Sequence, residues 1–260
     1  HNEAGTAPAF GLEKDGKCAI CLPGPPREMK WLFKHCVVDY LKRFSSKEMY
    51  YKVIRTIGIG ESDLETKLMP VINNQSDPTI ATYAKEGECA LRVASQRDTA
   101  EMAKYAVDEM IEMIDGLIGE YIYSYDDDEL NQVVVHQLQR RRLWLSSAES
   151  CTGGMFASCI TDVAGASSVF AEGFVTYSVE AKSEILGIDT AVIDKFSVVS
   201  GEVAVLMADG ARRKSKSDIS VSITGYAGPE ADEGRENGNA FIGYSCGGKL
   251  GNKRGFIELN

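Results

Sequence analysis

The sequence predicts an α/β protein: a C-terminal three-layer α/β/α sandwich with a central mixed sheet, a small α+β middle domain, and a partial α/β segment at the N-terminus. Three observations carry that prediction. Strand-like and helix-like stretches alternate from about residue 130 onward, a pattern that places helices on the faces of one sheet. Between Tyr50 and Tyr125 the pattern groups two helices with four strands, which suits a helix-covered sheet. The length of 260 residues favours about two domains, at roughly 100–200 residues each, over one continuous core.

Taken in order, KCAICL (17–22) is a short apolar strand running into PGPP, whose prolines and glycine break regular structure. REMKWLFKHCVVDYLKRF follows with helical spacing and a basic last turn. One strand, a rigid loop and a helix are too little for a domain, so residues 1–45 read as the tail of something longer. The start at His1 and the stop at Asn260, inside the strand-like run RGFIEL, both read as cuts.

The middle domain, 46–126, reads as strand YKVIRTIGI, helix ESDLETKLMPVI, strands TIATYAKEG and ECALRVASQ, helix TAEMAKYAVDEMIEMIDG and strand EYIYSY. YDDDEL, at 125–130, is a solvated charge run and a natural linker. The last domain, 127–260, opens with helix ELNQVVVHQLQRR and continues as strand RLWLSSAE, helix GMFASCITDV, strand SVFAEGFVTYS and helix VEAKSEILG. Helix GEVAVLMADGARRKS and strands ISVSITGYAG and NAFIGYSCGG complete it.

A net charge of −10 argues against a nucleic-acid backbone as the main partner, because that affinity comes from clustered Lys and Arg. Seven cysteines, an odd number at irregular spacing, read as reduced thiols of a cytoplasmic protein rather than a disulfide framework. No window approaches the roughly 18 apolar residues of a membrane span.

The stretch LSSAESCTGGMFASCI (145–160) carries the chemistry. It reads as a strand ending in a small-residue turn that becomes a helix, so main-chain N–H groups point at whatever lies in front. It resembles the strand–nucleophile–helix elbow of hydrolases without matching G-x-S-x-G, and a plain Ser/Thr cap is the competing reading. The three histidines are His1, His35 and His136, so none falls between 137 and 260 and a Ser-His-Asp triad within that domain is excluded. If Ser150 is a nucleophile, another group takes its proton. Lys182 is the candidate base, because a desolvated lysine can sit near neutrality; its bland alternative is a solvated helix lysine. Cys151 is the rival nucleophile, a thiol expected to be acidified at a helix N-terminus. SITGYAGPE is a second strand ending in small residues, and Thr224 and Gly225 could face Ser150 across one crevice or form a simple turn.

Three other motifs rate as structural. Residues i and i+3 of a strand face opposite sides, which argues against metal binding by CAIC. GIGES lacks the third glycine of a dinucleotide fingerprint and reads as a turn capping the next helix, while RRR (140–142) complements a helix C-terminus.

AESCTGG, TDVAGASSVFAEGFVTYSVEAK, VSGEVAVLMADGAR and SITGYAGP, in that order, resemble the C-terminal nicotinamide-nucleotide amidohydrolase module of the CinA (competence/damage-inducible) family over about 130–260. Upstream, GTAP, LPGPPREMKWLF and GIGES are similar to the end of that family's molybdopterin-binding-like N-terminal domain and its middle domain. The resemblance implies hydrolysis of the carboxamide of nicotinamide mononucleotide to nicotinic acid mononucleotide and ammonia. It implies Ser150 as nucleophile, activated by Tyr177 and Lys182. Glu149, Cys151, Thr152, Gly153, Gly154, Thr224 and Gly225 would contact substrate, with the Thr152 and Gly153 amides stabilising an oxyanion or holding phosphate.

The resemblance implies no cofactor for the amidase, a small-molecule nucleotide as partner, and a homodimer without membrane or nucleic acid. A divalent metal and ADP-ribose cleavage belong to the family's complete N-terminal domain and are not assigned to these residues. The chain departs from the family where acidic EADEGRENGNAF replaces a glycine-rich loop with a Lys-Pro-Val-Gly run, and where it stops before a further helix that begins near an arginine.

Overall fold

A computed structural model describes residues 2–44, 47–85, 87–226, 228 and 238–259. The chain divides into two compact units, His1–Asp127 and Asp128–Asn260.

The first unit begins with an antiparallel hairpin of β1 (Phe10–Lys14) and β2 (Lys17–Cys21). Asp15 and Gly16, both at positive φ, make its two-residue turn. Sequence reading found β2 and missed β1, although Asp-Gly between paired runs is a hairpin signal. Helix α1 (Pro26–Leu32) carries proline at its first position, where no N–H is needed, and runs through a π-helical turn into α2 (Val38–Leu41).

The rest of this unit is β3 (Glu48–Ile57), α3 (Glu61–Ile72), β4 (Thr79–Lys85), β5 (Glu88–Arg97), α4 (Ala100–Ile118) and β6 (Ile122–Ser124). Its antiparallel sheet has the order β4-β5-β3-β6. On α4, Ala103, Val107, Met110, Ile114 and Ile118 recur at three- and four-residue spacing and are buried. They join Leu64 and Leu68 of α3 and Ile54, Leu91 and Val93 of the sheet in one core. Thr99 caps α4 by accepting from the Met102 amide. Gly60 caps α3 after Gly58 turns the chain at φ +77°, as the GIGES reading expects. The acidic run is more than a solvated connection, because Asp127 accepts from the buried Arg55 guanidinium at 2.8 Å.

The second unit comprises α5 (Leu130–Arg141), β7 (Leu145–Glu149), α6 (Met155–Thr161), β8 (Phe170–Val175), α7 (Val179–Leu186) and α8 (Thr190–Phe196), then α9 (Gly201–Ser215), β9 (Ile219–Gly225), β10 (Ala240–Cys246) and β11 (Lys253–Leu259). Its sheet has the order β11-β10-β9-β7-β8: β8, β7 and β9 run parallel, and β10 and β11 return antiparallel. This is the mixed sheet expected from the alternating pattern.

Period-two alternation along β7 sends Leu145 to one core, with Val135, Leu138 and Ile160 of α5 and α6. It sends Ala148 to the other, with Leu186, Ile193, Val203 and Met207 of α7, α8 and α9. Two cores on opposite faces give three layers. Helix α9 lies so close to β10 that a Cβ on Gly243 would sit 2.3 Å from the Ala204 carbonyl oxygen, so only glycine fits there. Sequence reading missed α8, whose N-cap Asp189 accepts from the Ala191 amide ahead of the apolar TAVIDKF. Among the described residues no helix is long and apolar enough to cross a membrane.

Candidate active site

Strand β7 delivers Ser150. Its register with β9 persists one residue past the strand, with the Ser150 amide donating to the Ile223 carbonyl at 2.9 Å. The chain then reverses: the Gly153 amide donates to the Ser150 carbonyl at 3.1 Å, and Gly153 and Gly154 adopt φ of +59° and +103°. Those left-handed values explain the glycine pair, since a side chain there strains the backbone.

The Glu149 carboxylate, only 1% exposed, turns into the elbow. It accepts from the Thr152 hydroxyl (2.7 Å) and the amides of Gly154 (3.1 Å), Phe156 (3.0 Å) and Ala157 (2.9 Å). This corrects two expectations. Glu149 binds the turn rather than a substrate, and the Gly154 amide and Thr152 hydroxyl are spent on it. The Gly153 amide is spent on Ser150, so it is not an oxyanion donor as the resemblance implied.

Strand β8 and helix α7 deliver Lys182, the candidate base. β8 lies beside β7, with the Thr176 amide donating to the Glu149 carbonyl at 2.8 Å, and Ser178 then caps α7 by accepting from the Ala181 amide. Lys182 lies one turn into α7 on its inward face and is 0% exposed. Its Nζ donates to Ser150 Oγ (3.0 Å) and to the carbonyls of Thr176 (2.8 Å) and Tyr177 (3.0 Å). No carboxylate among the described residues pairs with it.

Burial pushes the Lys182 amine below its ordinary value, and the nearby Cys151 sulfur opposes that only in part. The stoichiometry fits both protonation states. An ammonium donates three bonds to these three oxygens; a neutral amine donates two to the carbonyls and turns its lone pair to the serine O–H. The solvated-lysine alternative is therefore excluded.

Tyr177 joins the site through its main-chain carbonyl, while its side chain is 73% exposed at the cavity mouth. Cys151 lines the same cavity. Burial raises its thiol, outweighing the amides of Cys151 and Thr152 and the Lys182 amine, so the acidified thiol expected from sequence is not found.

Ser150, Cys151, Tyr177, Val198, Gly225 and Tyr226 surround a cavity of about 290 Å³. Thr224 is fully buried and its hydroxyl donates to the Val198 carbonyl at 3.1 Å, so it fastens the cavity wall instead of facing the crevice. Val198 and Tyr226 were missed in sequence; only the tyrosine directly after the strand-ending glycine hinted at a wall. Residues 229–237, most of the acidic stretch where the sequence departs from the family, lie outside the described residues. Among the described residues no group of three or more His, Cys, Asp or Glu is arranged to hold a metal ion.

Comparison with known proteins matches residues 127–256 to the CinA C-terminal domain and residues 51–124 to the KH domain of damage-inducible protein CinA. A protein of Caldicellulosiruptor saccharolyticus named as competence-damage inducible is 48% identical over 93% of this chain and 59% of its own length. CinA-like proteins of Kosmotoga olearia and Dictyoglomus thermophilum are each 42% identical over 97% of this chain and 62% of theirs. The chain thus spans about three-fifths of the length of these relatives. A CinA superfamily crystal structure from Escherichia coli aligns over 50% of this chain and 76% of its own, at 33% identity and a TM-score of 0.47. With half the chain matched to the C-terminal domain and residues 51–124 of the first unit matched separately, this chain belongs to the CinA family.

Proposed function

We propose that the second unit hydrolyses a carboxamide, and that its substrate is nicotinamide mononucleotide, giving nicotinic acid mononucleotide and ammonia. The observation that carries the reading is the Lys182 amine, fully buried and 3.0 Å from Ser150 Oγ at the floor of a cavity. The nucleotide itself comes from the family resemblance.

In its neutral form Lys182 accepts the serine proton as Oγ bonds to the amide carbon, making a tetrahedral oxyanion. The oxyanion collapses, the C–N bond breaks, and Lys182 returns that proton to the departing nitrogen, which leaves as ammonia. Water then attacks the acyl-serine and gives a proton to Lys182; the acyl bond breaks, and the proton returns to Ser150 as the acid leaves. Thr176 and Tyr177 hold the amine through their carbonyls in both states. Imidazole has no part in the cycle.

The test is ammonia release from nicotinamide mononucleotide by full-length protein. Wild type turns over, and Ser150→Ala and Lys182→Ala stay folded and lose turnover. Stabilisation by the nucleotide without ammonia release in wild type would reduce the unit to a binding module.

A further inference from the structure

The Glu149 carboxyl group is sealed away from water with no cation paired to it among the described residues. Such a carboxylate persists only when its oxygens are well supplied with donors, and here four donors supply it, three on Oε2 and one on Oε1. All four come from residues 152–157, the segment that follows the nucleophile.

Following every main-chain N–H through the elbow shows what this clamp leaves over. Ser150 donates to Ile223, Gly153 to Ser150 and Met155 to Thr152. Gly154, Phe156 and Ala157 donate to Glu149. Of the amides from Ser150 to Ala157, those of Cys151 and Thr152 alone are committed to no oxygen among the described residues. The residue after a nucleophile on such a turn is the usual place for an oxyanion donor.

We infer that Glu149 is a positioning residue: its carboxylate consumes the amides of α6 and fixes the turn so that the Cys151 and Thr152 amides face the oxyanion formed on Ser150. The inference rests on the hydrolase reading and goes beyond it in assigning the donors and what holds them. Glutamine cannot replace the carboxylate. With its carbonyl oxygen at the Oε2 position, its NH₂ meets the Ala157 N–H donor to donor.

The test measures two rates in full-length wild type, Glu149→Gln, Thr152→Val and Thr152→Ser: ammonia release, and phosphonylation of Ser150 by a fluorophosphonate followed by intact mass. In phosphonylation the Oγ–P bond forms, the P–F bond breaks, fluoride leaves, the serine proton passes to Lys182, and charge gathers on the phosphoryl oxygen. Glu149→Gln lowers both rates about 100-fold, the cost of a misplaced oxyanion donor, with KM within about twofold.

Thr152→Val, which loses one of the four donors, slows both rates about tenfold, and Thr152→Ser restores them. Wild-type rates in folded Glu149→Gln overturn the inference; if that variant does not fold, wild-type rates in Thr152→Val overturn it. A wild type that is phosphonylated but releases no ammonia ends the amidase reading and leaves Glu149 to be judged on phosphonylation. Neither reaction in wild type overturns both.

Discussion

Replacing Lys182 by methionine keeps a long unbranched side chain in the fully buried slot and removes the amine. Activity falls by about 10²–10⁴-fold, the usual range for losing a general base. Stability responds to two opposed effects. Three hydrogen bonds of 2.8–3.0 Å are lost, each worth about 0.5–1.5 kcal/mol. Against that, the variant escapes desolvation of an ammonium, a cost of several kcal/mol when the group is charged, or about 1.4 kcal/mol for each unit its pKa is lowered.

The two effects separate by pH. The unfolded chain keeps the lysine proton up to its ordinary value of 10.5, whereas the folded chain releases it earlier. Below the folded value both states are protonated and wild type carries the whole desolvation cost. Between the folded value and 10.5 the unfolded state binds more protons, so wild-type stability rises with pH by up to about 1.4 kcal/mol per unit. Lys182→Met lacks this rise, and titrating groups that do not interact with Lys182 cancel in the difference between the two proteins; the Cys151 thiol, which the amine lowers, is removed from the comparison by making both proteins in a Cys151→Ala background. Urea unfolding at a series of pH values from 6 to about 10.5 measures it. Parallel stability curves across that range would refute the claim that burial shifts this amine.

Three further outcomes follow from the contacts. Tyr177→Phe keeps the carbonyl that holds Lys182 and is expected to retain kcat within about threefold in the ammonia assay, because a general acid–base role for the phenol would cost about 10²-fold or more. Thr224→Val leaves the Val198 carbonyl without its donor; stability falls by about 1–2 kcal/mol in urea and KM rises severalfold, with kcat nearly unchanged, as the cavity wall loosens. Gly243→Ala drives a methyl group into the Ala204 carbonyl on α9 and is expected to lower stability by about 2–3 kcal/mol, read as a shifted urea midpoint.

Periodicity alone located most of the elements. The 3.6-residue repeat of α4 and α9 and the short apolar runs of β7 and β9 follow from which faces must leave water, a property local to each segment. The missing histidine was likewise visible as composition, and it pointed from imidazole to an amine before any distance was known. Local signals also existed for the two elements that were missed: the Asp-Gly turn of the first hairpin and the Asp189 cap of α8.

What each polar group does at the site was settled only by the fold. Glu149 and Ser150 lie at the end of β7, Lys182 within α7 and Thr224 within β9, and their partners depend on sheet register and on which side chains end up dry. Lys182 on sequence could as well have been a solvated helix residue; the fold buries it and holds its amine on the carbonyls of Thr176 and Tyr177, within 3.0 Å of Ser150 Oγ. Glu149 and Thr224 were expected to touch a substrate; in the fold the carboxylate accepts from four donors of the turn, and the threonine hydroxyl donates to the Val198 carbonyl. A sequence records which groups are available. Desolvation and hydrogen-bond assignment, which fix their chemistry, arise when distant segments close around them.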